Sequence, residues 1–199
     1  MDLIRICKAR LQSVSPYSSS RMFIATKLHE NETPGEVDQR LWREKCTVNS
    51  DGIVCIAGMA LKQALDNAAT RMALKIPGKG SSRYAKHFHG GILVDDLVPL
   101  GVHKDAVGSV TINAHSTGKR TDGTRVPRIF PVVQSWTATA TFFVIDSVIT
   151  PDVFERTLAH AGFFVGVGRF RPENKGTNGR FKVVSTEWSE QTVEQVMAA

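Results

Sequence analysis

Ile53-Val54-Cys55-Ile56-Ala57-Gly58-Met59-Ala60-Leu61-Lys62-Gln63-Ala64-Leu65 is the stretch on which the fold turns. Its first four residues are apolar and mostly β-branched, the composition of a buried strand. From Ala57 the period changes. Leu61, Ala64, Leu65, Ala68 and Met72 fall at i, i+3, i+4, i+7 and i+11, while Lys62, Gln63, Asp66, Asn67 and Arg71 lie off that stripe. This spacing predicts an amphipathic helix over 57–74, stopped by Pro77-Gly78. A strand therefore feeds a helix through a glycine turn. The first amides of such a helix, with Lys62 beside them, suit a phosphate, although strand-on-helix packing explains the same glycine.

Upstream, residues 3–14 read as a first strand, ending in the turn cluster Ser13-Val14-Ser15-Pro16-Tyr17-Ser18-Ser19-Ser20-Arg21. Residues 22–27 extend as an edge strand, 29–40 are polar with a turn at Pro34-Gly35, and 39–48 read as another strand. Downstream, 75–131 is rich in glycine and short apolar runs, with a polar cationic tip at 117–125. It reads as a β-rich, thumb-like insertion. Residues 135–146 form a strong strand, and Thr150-Pro151-Asp152 carries the N-cap, first-turn proline and acid of a helix start. Gly162 should stop that helix. A short strand at 163–167, a glycine-rich loop at 166–179, a last strand at 181–187 and a loosely helical tail follow. Two βαβ-like halves on one antiparallel sheet with two helices describe an α+β fold of ferredoxin-like (RRM) type. The chain is read as one domain over 1–199, with a core of 1–74 and 132–199 and the insertion at 75–131.

The composition, 42% apolar and 22% charged, is that of a globular chain. No apolar run approaches the roughly 20 residues that span a bilayer. The start, Met1-Asp2-Leu3-Ile4-Arg5-Ile6, lacks the features of a secretory signal. Three cysteines without CxxC spacing read as reduced thiols of a cytoplasmic protein. Charge is unevenly placed. Segments 75–89, 117–128 and 168–182 carry 13 positive and two negative charges, a net +11 against +6 for the whole chain, so the rest sums to −5. Lysine and arginine gathered on glycine-punctuated segments are the footprint of a phosphate binder.

Gly166-Val167-Gly168-Arg169-Phe170-Arg171-Pro172-Glu173-Asn174-Lys175-Gly176-Thr177-Asn178-Gly179-Arg180-Phe181 is the most specific segment. Its glycines permit positive φ and an anion-binding nest of successive amides. Arginine forks suit phosphate, and Phe170 suits base stacking. It is neither a dinucleotide-binding GxGxxG nor a Walker loop. The residues expected to bind nucleic acid are Arg21, Lys62, Lys79, Arg83, Lys86, Lys119, Arg120, Arg125, Gly166, Gly168, Arg169, Phe170, Arg171, Lys175 and Arg180.

Three pieces, in order, resemble the RAMP superfamily, above all the RNA-binding backbone subunits of CRISPR effector complexes. They are the Ser-Pro-Tyr-Ser-Ser-Ser-Arg turn at 15–21, the junction from Ile56 to Leu65, which is similar to that family's I-P-G-S-S-L-K-G-A-L-R element, and the glycine-rich loop at 166–180. The resemblance implies a ferredoxin-like palm, a projecting thumb, and self-association into a helical or filamentous assembly along a guide RNA. It also implies other effector-complex subunits as partners.

Catalysis has little support in the sequence. No nucleophile motif is present, and His29, His115 and Asp122 are acid–base candidates without supporting context. His87-x-His89 lacks a third ligand at useful spacing, so neither a metal nor a cofactor is expected. The reading is a non-catalytic binder of single-stranded RNA or DNA. The alternatives are a metal-independent endoribonuclease on the same fold and a phage-type single-stranded DNA-binding or assembly protein.

Overall fold

Strand β1 (Leu3–Ser13) buries Cys7, Ala9 and Leu11 and exposes Lys8, Arg10 and Gln12. That alternation lets one face meet helices while the other meets solvent. In the computed structural model, which describes residues 3–115, 123 and 125–197, β1 is central. It pairs antiparallel with β8 (Thr137–Val144) on one side and β9 (Phe181–Thr192) on the other. β4 (Ile92–Val94) completes the sheet, in the order β4-β8-β1-β9. Counting core strands alone, that order is second, third, first, fourth, the ferredoxin-like arrangement expected from the sequence.

Two helices cover the buried face. α2 (Gly58–Met72) buries Leu61, Ala64, Leu65 and Ala68 of the predicted stripe; Met72 is half-buried, and Ala69, off the stripe, is buried as well. α4 (Pro151–His160) starts where the sequence places it, with Thr150 Oγ1 accepting from the Val153 amide. Phe154 lies 5.2 Å from Phe142 and 5.4 Å from Trp188, both edge-to-face. Beneath the helices the register sets Cys7 opposite Phe142, Ala9 opposite Ala140 and Leu11 opposite Ala138. Cys7, Ala9, Ala138 and Ala140 are small and admit the helices closely.

The stretch 75–131, expected as one insertion, is divided. α3 (Ala85–Gly91) and β4 return to the main sheet, whereas β5 (Leu97–His103) pairs with β3 (Ile53–Ala57). β6 (Gly108–His115) and β7 (Arg125–Val133) form the projecting hairpin, and β2 (Tyr17–Ser18) joins the base of β7. A short helix, α5 (Val193–Met197), follows a β9 that runs five residues beyond its predicted end.

Several expectations are corrected. Residues 22–27 pair with no strand among the described residues. Residues 34–41 are not turn and strand but α1 (Pro34–Leu41), followed by a 3-10 helix, Trp42–Lys45. Thr33 and Glu36 cap α1 reciprocally, and Pro34 occupies its first turn, so Pro-Gly here begins a helix. Residues 161–165 are a π-helical turn rather than a stop and a strand. Gly162 is needed there because an added Cβ would meet the Phe181 carbonyl oxygen, with Phe181 ring carbons at 2.7 and 2.8 Å. Gly162→Ala should therefore destabilise the protein by roughly 1–3 kcal/mol, as other overpacked sites do. Urea unfolding measures this, and an unchanged midpoint would contradict the packing.

Candidate nucleic-acid interface

The β1–β9 ladder ends with Ser13 opposite Phe181, which sets the 14–21 turn beside the end of the 166–180 loop. Val14 and Ser15 amides donate to the Arg180 carbonyl at 2.8 and 3.2 Å. Gly179 donates to the Pro16 carbonyl and Arg169 to the Ser18 carbonyl, both at 2.7 Å. Gly168 has φ +77°, and a Cβ there would meet the Ser18 carbonyl and, at 2.6 Å, the Tyr17 ring. Only glycine lets loop and turn lie this close.

The start of α2 closes the third side, giving a cleft of about 510 Å³. The turn supplies Tyr17, Ser19, Ser20 and Arg21, the loop supplies Gly168, Arg169, Phe170, Arg171 and Asn174, and Thr47, Ala57 and Ala60 complete the wall. Tyr17 is buried and donates to the Cys55 carbonyl at 3.4 Å, and burial pushes its pKa up to about 12. It is a scaffold group, not an acid or base. No histidine or carboxylate among the described residues lines the cleft.

Arg169 is the distinctive member. Its guanidinium lies 3.8 Å from the Phe130 ring centroid and 4.7 Å from that of Phe170, and it donates to Ser20 Oγ at 3.2 Å. No carboxylate among the described residues lies within ion-pair distance of it. Burial lowers its pKa, yet guanidinium holds its charge in proteins. A half-buried cation held by ring faces and a hydroxyl is poised for an anion. Beneath Phe130 lies Lys45, its Nζ 4.3 Å from the ring centroid. Lys45 donates to Asp38 and to the Ile129 carbonyl, each at 2.5 Å, and the other Asp38 oxygen accepts from the Ile129 amide. Desolvation lowers the Lys45 pKa against the opposing pull of Asp38. The pair thus anchors α1 to β7 under the ring that supports Arg169.

The other expected residues separate. Arg21 is exposed at the cleft rim. Arg171 lines the cleft but pairs with Glu173 at 2.8 Å, and Glu173 also accepts from Asn67 at 2.5 Å. Lys62, which does not line the cleft, donates to both Asp66 oxygens at 2.6 Å and to the Phe88 and His89 carbonyls at 3.1 Å. Arg180 turns to the other side of the loop, donating to the Phe163 and Thr177 carbonyls at 3.1 Å. Lys175 is exposed beyond the cleft. Lys79 and Arg83 are exposed on the loop after α2 and Lys86 is exposed on α3, and none of the three lines the cleft. Arg125 is exposed at the outer end of β7, and Lys119 and Arg120, like Asp122, lie outside the described residues.

The expected amide nest is also revised. The amides of Gly166, Val167, Arg169, Asn174, Lys175, Gly176, Asn178 and Gly179 donate to backbone carbonyls of the protein itself. An added Cβ at Gly166, Gly168, Gly176 or Gly179 would clash, so these glycines serve close packing, and the eight amides named are occupied within the protein. His87 and His89 sit on α3. His87 pairs with Asp146 at 2.6 Å, while His89 approaches Thr70 at 3.4 Å. No metal-holding group of three His, Cys, Asp or Glu is found among the described residues. Sequence reading missed Thr47, Ala60 and Phe130. The Phe130 ring sits in an apolar run whose only signal is a strand.

Among solved structures, the chain is similar to a chain of the Type III-B Cmr-beta structure bound to cognate target RNA, at TM-score 0.51 and 13% identity. The match covers 93% of this chain and 60% of that one, so this chain spans about three-fifths of its length. The chain shares the α+β, ferredoxin-like fold of that structure. Cmr6 from Pyrococcus furiosus is also similar, at TM-score 0.49 and 14% identity, over 92% of this chain and 99% of that one. At such identities the likeness is one of fold. No family model matches the chain, and no curated protein matches its sequence.

Asp38→Ala should destabilise the protein by roughly 3 kcal/mol, because it leaves Lys45 buried without its carboxylate. Asp38→Leu with Lys45→Met should recover most of that loss in urea unfolding. Equal stability of the single variant and the parent would contradict the anchor.

Proposed function

We propose that the chain is a non-catalytic subunit of a CRISPR-type ribonucleoprotein that binds single-stranded guide RNA and multimerises along it. The observation that carries this is the convergence of three segments distant in sequence, 17–21, 57–60 and 168–174, on one cleft. Two cations there, Arg21 and Arg169, have no carboxylate partner among the described residues. Phosphates would sit against those cations and the serine hydroxyls, with bases over the Phe170 side. The likeness in fold to a chain solved in an RNA-bound Cmr-beta structure supports the same reading. The cleft lining among the described residues is made of cations, hydroxyls, an amide and apolar side chains, a set that suits holding RNA rather than cutting it. Lys79, Arg83, Lys86 and Arg125 are exposed and do not line the cleft, and they are proposed to meet the strand on a neighbouring subunit.

Filter-binding titrations of single-stranded RNA test the reading. Each phosphate contact contributes about 0.7 to the slope of log K against log salt for a single strand. Arg21→Gln with Arg169→Gln should weaken binding and make that slope shallower by about 1.4, while Lys62→Gln, already ion-paired, should leave it unchanged. An unchanged slope in the double variant would sink the cleft assignment.

A further inference from the structure

On the opposite side of the 166–180 loop from the cleft, the π-helical turn Ala161–Val165 holds two adjacent phenylalanines in solvent. Ala161, Gly162 and Val165 face inward and are buried, so Phe163 and Phe164 are forced outward, at 52% and 51% exposure. Their rings meet edge-to-face at 5.2 Å. His160 stacks on Phe164 at 4.5 Å, and the Arg180 guanidinium lies 5.9 Å from the Phe163 centroid. Arg71 donates to the Phe164 carbonyl at 3.3 Å, and Arg180 donates to the Phe163 and Thr177 carbonyls.

The charge here is uncompensated. Arg71 and Arg180 donate to neutral carbonyls, and no carboxylate among the described residues pairs with them or with His160. Arg71 adds to burial in lowering the His160 pKa. A partner surface made only of apolar side chains would leave two guanidinium groups unanswered. A single strand of nucleic acid answers both features, since its bases stack on exposed rings and its phosphates meet the arginines. π-turns of this kind are frequently found at functional sites.

The geometry points to a second RNA contact, in which Phe163 and Phe164 stack on bases of a strand leaving the cleft and Arg71 and Arg180 hold its phosphates. It rests on the RNA-binding reading above and extends it across the loop, since Arg169 faces the cleft while Arg180 reaches the rings.

Fluorescence anisotropy with an end-labelled single-stranded RNA tests the contact, alongside thermal unfolding of each variant. Phe163→Ala with Phe164→Ala should weaken binding roughly tenfold or more without altering the salt slope, because stacking is lost and no ion contact is removed. Phe163→Trp with Phe164→Trp should bind like the parent, and the corresponding double leucine variant should behave like the alanine one. If the alanine variant binds like the parent while Arg169→Gln is weakened, the platform is wrong and the cleft stands. If the alanine variant loses self-association but keeps its RNA affinity, the rings are a protein interface and the platform is wrong. If the parent binds no RNA, both readings fall.

Discussion

The pairing of Ser13 with Phe181 is the constraint from which the site follows. It fixes where β1 leaves the sheet and where β9 enters it. The chain before β9 and the chain after β1 must then run side by side, and the hydrogen bonds of Val14, Ser15 and Gly179 continue the ladder beyond the sheet. The serine turn and the glycine-rich loop, about 150 residues apart in sequence, become two walls of one cleft. The start of α2 is the third wall, held in place by the same apolar stripe that builds the core. The site is a product of sheet register, not an attachment to it.

Much of this was legible in the residues. The stripe of α2, the N-cap of α4 and the alternation of β1 and β8 each follow one period, and burial agrees with that period. α1 was hidden because it has no apolar stripe to read. Its only buried residue is Asp38, facing Lys45, so its single signal was the Thr33-x-x-Glu36 cap behind a Pro-Gly pair that also spells a turn. The π-turn was hidden for the opposite reason. Ala161-Gly162-Phe163-Phe164-Val165 is apolar throughout, and a short apolar run fits strand and helix alike.

Charge clustering located the basic loops but could not rank their members. Lys62 and Arg171 have the right charge, yet each already has an acidic partner, Asp66 and Glu173. Arg169 differs because its neighbours are rings and a hydroxyl. The distinction depends on contacts between residues far apart in sequence, with Phe130 on the hairpin and Ser20 on the turn, and no local pattern encodes those. The glycines likewise suggested an open nest of amides, whereas the fold uses their small size to bring two backbones together.

The central claim is that one strand of RNA lies in the cleft between the 17–21 turn and the 168–174 loop. Photo-cross-linking with a single-stranded RNA carrying 4-thiouridine, followed by mass-spectrometric mapping of the adducts, tests it most directly. The account predicts adducts on both segments at once, on the exposed Ser20 and Arg21 of the turn and on Phe170 of the loop. Adducts confined to the open face of the sheet, around Lys8 and Arg10, would contradict it.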